Sequence, residues 1–227
     1  MTSTLLDRPE TPAIAGVHDP AFRAAVDRLV AAAAPVRFAL ATSASEREAT
    51  FRLRAQVVIE RRWRPAADFP DGLEREPHDD RALHLAGWLG NDLVATARLI
   101  EPSPFAALPV ESEFDLIVPP HHRVVHLDRM IVVRRQSDPA HRLYLALLAA
   151  AARETLARGY DVWAGIESRP MVRLLGIMGF PMQILGPARP YWGENRFPVR
   201  FPLVAAIPGL IAHTSGSPTE PRAASRR

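Results

Sequence analysis

The order of its periodic segments constrains this 227-residue chain more than any other feature. Two apolar runs, residues 83–89 and 93–99, flank Gly90-Asn91-Asp92, a turn signal that predicts an antiparallel hairpin. Around it the apolar spacing predicts a helix over 20–33, a strand over 36–41 and a helix over 45–62, with Ser45, Glu46 and Glu48 suited to that helix's N-terminus. After the hairpin come a β-branched strand over 124–133, a helix over 139–158 stopped by Gly159 and a strand over 161–166. A helix over 170–178 stopped by Gly179 and a strand over 197–203 complete the series. A direct hairpin inside a helix–strand alternation excludes a strictly doubly wound parallel sheet. The expected fold is α/β, a mixed and partly antiparallel central sheet flanked by helices.

One domain over 20–210 accommodates all of these segments, between a mobile opening over 1–19 and a disordered tail over 211–227. No run reaches the roughly 18 apolar residues of a membrane helix, and the opening lacks the pattern of a signal peptide, so a cytoplasmic protein without an integral membrane segment is expected. The absence of cysteine removes disulfides, thiolate zinc sites and a cysteine nucleophile. The absence of lysine removes Schiff-base chemistry. A net charge of +3 lacks the concentrated basic stripe of a nucleic-acid binder.

Three constellations could carry chemistry. Glu74, Glu76, Asp79 and Asp80 crowd four carboxylates into seven residues. Such a cluster can receive a substrate cation or hold one member at a raised pKa as a base, or it can be a solvated acidic loop. Arg98 ends an apolar strand, either paired with those acids or with its head in water. The segment Val125-His126-Leu127-Asp128-Arg129 sets polar groups in a β-branched strand, where alternation places His126 and Asp128 on one face and Arg129 on the other. His126 is either structural or functional. His121 and His122 have no third spaced ligand, so no metal site is expected.

In order along the chain, Arg54, Trp63, Gly72, Glu74, Glu76, Asp79, Arg98, Phe114 and Arg129 resemble the motif of the acyl-homoserine-lactone synthases and the related N-acyl amino acid synthases, within the GNAT acyltransferase superfamily. Residues 173–180 and Leu185-Gly186-Pro187 are similar to the family's late helix and turn, so the likeness spans about 36–203. The resemblance implies a GNAT-like fold and an N-acyltransferase that moves a fatty acyl group from a thioester, acyl-carrier protein foremost, to a small amine such as S-adenosylmethionine. The product would be an autoinducer of quorum sensing. It implies no resident cofactor. It assigns Glu74, Glu76 and Asp79 to the amine and its proton, Arg98 to holding those carboxylates or the substrate carboxylate, Arg129 to orienting the acidic loop, and Arg54, Trp63, Phe114 and His126 to substrate binding. A splayed strand through residues 129–133 would offer backbone N–H groups to the thioester.

Four positions depart from the pattern. Val58 replaces an aromatic, Trp63 comes one residue early, Glu76 replaces an aspartate, and His126 stands where the strand's glutamate is expected. These departures support a sister enzyme, an N-acyl amino acid synthase or one that acylates another amine; a catalytically silent GNAT module that binds an acyl ligand is a third reading. The segment 133–139 contains no glycine, unlike the pyrophosphate loop of an acetyl-CoA acetyltransferase. Arg134, Arg135, Arg142, Arg153 and Arg158, on or beside one strand–helix unit, could meet an acidic carrier protein.

Overall fold

The computed structural model describes residues 20–133, 142–180 and 182–206, together with 209 and 212. The expected mobile opening, the expected tail apart from residue 212, and the start of the helix expected at 139 lie outside the described residues. The elements are α1 (Pro20–Ala32), β1 (Arg37–Leu40), α2 (Ala44–Glu60), β2 (Ala82–Leu89), β3 (Asp92–Ile100), α3 (Pro109–Phe114) and β4 (Val124–Val132). They continue with α4 (Arg142–Ala157), β5 (Val162–Ser168), α5 (Arg169–Ile177), β6 (Gln183–Ile184), β7 (Arg189–Tyr191) and β8 (Glu194–Pro202).

The strands form one sheet in the order β1-β2-β3-β4-β5-β8-β6, with β7 also paired to β8, and every pairing is antiparallel except β4 with β5. The expected mixed α/β architecture is therefore the one found. Apolar side chains of α1 and α4, including Phe22, Val26, Leu143 and Leu147, cover one face of the sheet over Leu99, Val125, Trp163 and Phe201. A second cluster joins Val110 and Phe114 of α3 to Ile100, Val124, Val162 and Ile166. Burial of this kind, about 25 cal/mol for each Å² of apolar surface, is what holds the layers together.

Local chemistry sets the ends of the elements. Ser43, rather than Ser45, caps α2: its side chain accepts from the Glu46 N–H at 3.2 Å, and the Glu46 carboxylate accepts from the Ser43 N–H at 3.0 Å. The last strand begins at Glu194, three residues earlier than expected. It pairs with β7 across Trp192 and Gly193, whose φ values of 50° and 78° give the left-handed geometry of a two-residue hairpin turn.

Two irregularities in β4 shape the site. Opposite β3 the register passes from Arg98↔Asp128 to Thr96↔Ile131, so β4 carries an extra residue there, and Arg129 within it has φ 51°. On its other side β4 pairs with β5 only from Val124↔Val162 to His126↔Ala164, although β4 runs on to Val132 and β5 to Ser168. The two strands part beyond that point. Gly165 stands where they separate, and a Cβ there would lie 3.1 Å from the Leu127 carbonyl oxygen.

Candidate active site

The 3-10 turn Pro77–Arg81 folds the acidic loop back over β3, with Asp79 accepting from the Glu76 N–H at 2.7 Å. Arg54 rises from α2 into this loop. It is fully buried, donates through Nε to Glu74, and through Nη1 and Nη2 to Asp79 at 2.7 and 3.0 Å. Arg98, 1% exposed, donates to Asp79 at 2.9 Å, to Glu76 at 2.7 Å and through two nitrogens to Asp128 at 2.8 and 2.7 Å. The solvated-loop reading therefore fails for Glu74, Glu76 and Asp79, though Asp80 is exposed, and the strand-edge reading fails for Arg98.

Strand alternation places Arg129 away from His126 and Asp128, and the bulge overturns that expectation. Its positive φ turns the guanidinium back onto Glu74 at 3.1 Å, Glu76 at 2.8 Å and Asp128 at 3.5 Å. Three guanidiniums, Arg54, Arg98 and Arg129, thus interlock with four carboxylates, Glu74, Glu76, Asp79 and Asp128.

The electrostatics follow from this pairing. Burial works to raise the Glu74 carboxyl, but Arg129 and Arg54 outweigh it and hold it below the usual range. Burial likewise opposes the charge on Asp79, yet Arg54 and Arg98 bring it down to about 2. Asp128 is held well below its ordinary value against burial, by Arg98 and then Arg129. The expectation of a raised carboxyl within the acidic loop is not met at Glu74 or Asp79. Glu76 differs from its neighbours, because 26% of its side chain remains accessible while Glu74 retains 1% and Asp79 5%.

The other expected site residues are distributed around this core. His126 is buried, with Nε2 3.4 Å from Asp128 and, among the described residues, no hydrogen-bond partner for Nδ1. Arg54 contacts carboxylates of the chain itself. Trp63 is half-buried with the Arg196 guanidinium 4.8 Å above its ring. Phe114 is 5% exposed within the second apolar cluster, with Arg189 stacked on it.

Two further residues join the site without having been singled out in the sequence. Trp192, in the β7–β8 turn, stacks on Arg129 at 4.1 Å and so covers the ion-pair network. Glu167, near the end of β5, lines the cleft between the parted strands with Leu127, Met130, Tyr144, Leu148 and Trp163. Burial pushes its carboxyl up to about 7, Arg196 partly opposing and Asp128 and Glu194 adding to the rise. The aromatic-rich run Pro190-Tyr191-Trp192-Gly193 could have flagged the first. A lone glutamate closing an apolar strand gave no comparable signal for the second.

No family model matches the chain, and no curated protein matches it. Among solved structures it is similar to the AHL synthase LasI at 16% identity and TM-score 0.65, over 82% of this chain and 98% of that one. It is also similar to BjaI, a CoA-dependent acyl-homoserine lactone synthase solved with SAM and isopentyl-CoA, at 21% identity and TM-score 0.62, over 81% of this chain and 90% of that one. A putative N-acetyltransferase from Lactobacillus plantarum aligns at 18% identity and TM-score 0.53, over 74% of this chain and 98% of that one. The fold is therefore that of the acyl-homoserine-lactone synthases and GNAT acetyltransferases.

Proposed function

We propose that this protein is an N-acyltransferase that moves an acyl group from a thioester to a small amine. The observation that carries the reading is the parting of β4 and β5 around an apolar cleft, beside a network in which one carboxylate, Glu76, keeps an accessible side chain. A thioester is already activated, so the protein must align a neutral amine with the carbonyl, accept its proton and stabilise the tetrahedral oxyanion. No covalent enzyme intermediate is required, in keeping with a chain without cysteine.

The donor's acyl arm enters the gap between β4 and β5, where the edge of β4 beyond His126 makes no ladder with β5. Backbone N–H groups along that edge are the donors proposed for the thioester. Glu76 receives the amine and accepts its proton, directly or through water. Glu74 and Asp79, ionised and enclosed by arginines, fix the loop instead of touching substrate. Arg98 and Arg129 orient Glu76, Trp192 covers Arg129, and Trp63 walls the amine side.

Acyl-carrier protein is the proposed donor, although the basic surface is smaller than its five arginines suggest. Arg158 bonds Glu154 at 2.8 Å, Arg142 and Arg153 are exposed, and Arg134 and Arg135 lie outside the described residues. BjaI's dependence on CoA makes acyl-CoA the alternative carrier. The amine is S-adenosylmethionine in the lactone reading. The buried His126 in place of a glutamate favours an N-acyl amino acid synthase as the second reading, because it makes the site less anionic.

Mass spectrometry of organic extracts from cells expressing the gene separates these readings. An acyl-lactone supports the first and an acyl-amino acid the second. No new acylated product, with an acyl ligand still bound by the purified protein, would support a silent binding module.

A further inference from the structure

Within the apolar cleft between β4 and β5 one side chain is out of place. Leu127, Met130, Leu148, Trp163, Leu175 and Phe180 supply its hydrocarbon walls, and the Glu167 carboxyl stands among them. Glu167 is half-buried, and among the described residues no hydrogen-bond donor reaches its carboxyl and no ion pair includes it. Arg196, whose charge acts on it without an ion pair, bonds Glu194 through Nη2 at 2.7 Å. The Tyr144 hydroxyl, which lines the same cleft, faces the sulfur of Met171 at 3.9 Å.

A carboxyl half withdrawn from water, set among hydrocarbon walls and without a partner, costs free energy that an apolar residue of similar size would not. The cleft is accordingly incomplete for a purely hydrocarbon occupant. Register places Glu167 with Leu127, Trp163 and Gly165 on the face of the sheet covered by α4. The ion-pair network lies on the opposite face, with Arg98, His126 and Asp128. Glu167 thus lies on the donor side of the gap, two residues beyond the Gly165–Leu127 contact where the strands separate.

We infer that Glu167 selects the acyl donor: the acyl chain this protein transfers carries a hydroxyl group, which hydrogen-bonds the Glu167 carboxyl inside the cleft. The inference rests on the acyltransferase reading above. A hydroxyl fits better than a cation, because Glu167 is the single charged side chain lining the cleft among the described residues and its apolar surroundings disfavour its ionised form. Either protonation state serves, since a neutral carboxyl both donates and accepts and a carboxylate accepts. A site built to bond a hydroxyl discriminates strongly against a chain that lacks one, because its own polar group is then left unpaired.

The test compares donors of equal chain length in two formats, using the full-length protein. In the first, kcat/KM is measured with a straight-chain acyl thioester and with counterparts carrying a hydroxyl at successive carbons. In the second, calorimetry measures binding of the matching acyl-pantetheine thioethers, which cannot react. The wild type should favour the best hydroxylated compound at least tenfold in both formats. Glu167→Leu should bind the plain chain as well as or better than the wild type and lose the preference. Glu167→Gln, which keeps an acceptor and a donor, should retain part of it. Equal use of both chains by the wild type, or an unchanged ratio in Glu167→Leu, would overturn the inference. If the wild type turns over no donor, the transfer reading fails by itself, and the thioether affinities still decide the role of Glu167.

Discussion

At the residue scale the site depends on Arg98, whose guanidinium holds Glu76, Asp79 and Asp128 together while nearly inaccessible to water. Removing one partner of a buried network leaves charges uncompensated, so Arg98→Ala should cost about 3–5 kcal/mol in urea unfolding. Asp79→Ala should fall in the same range for the same reason, and its loss of activity then follows from loss of structure. Glu76→Gln separates chemistry from folding. It keeps the side chain's shape and acceptor oxygen, so stability should stay within about 1 kcal/mol of wild type while kcat/KM for amide formation drops at least tenfold. Equal losses of stability in the Glu76 and Arg98 variants, or full activity in Glu76→Gln, would contradict this division. The residue types of the network were legible in the sequence because crowded carboxylates require cations. Which cation meets which acid was not, because Arg129 reaches Glu74 and Glu76 only through the extra residue in β4, an irregularity that strict alternation cannot anticipate.

At the element scale the long periodic segments could be read directly, and the short ones could not. Residues 124–133 and 45–62 predict β4 and α2 to within two residues at each end, since apolar runs of that length carry an unambiguous period. The six residues of α3 give less than two helical turns, too few for a period to register, and Pro109 at the first helical position is equally compatible with a loop. β6 and β7, of two and three residues, exist because β8 offers them an edge, which is a tertiary cause without a local signature. Trp192 shows how such elements matter. It stacks on Arg129 only because the β7–β8 turn adopts positive φ at two successive residues. The splaying of β4 from β5 is likewise a relation between strands nearly forty residues apart. The sequence resemblance implied it, and local pattern did not.

On the scale of the whole molecule, the network couples the site to acid stability. Asp79 has a folded pKa of about 2 against an ordinary 3.8, and Glu74 and Asp128 are shifted in the same direction. Carboxyls depressed by folding contribute stability that is present above their unfolded values and lost as pH falls through the folded ones. Asp79 alone accounts for about 2 kcal/mol at neutral pH. The thermal midpoint should fall steeply between about pH 4 and pH 2, and the Arg98→Ala variant should show a shallower decline. Glu167 acts in the opposite sense, since its raised pKa makes a contribution that is present below about 4.5 and lost as pH rises through about 7. Both effects originate in groups that the fold gathers around the gap between β4 and β5, Glu167 on one face of the sheet and Glu76 on the other. The central claim, that an acyl group crosses this gap to an amine, is tested most directly by incubating the purified chain with acyl-carrier-protein and CoA thioesters and a panel of amines including S-adenosylmethionine. The products are then analysed by mass spectrometry. An N-acylated amine formed by the wild type and reduced at least tenfold in Glu76→Gln is the expected result; thioester binding without amide formation from any amine would contradict it.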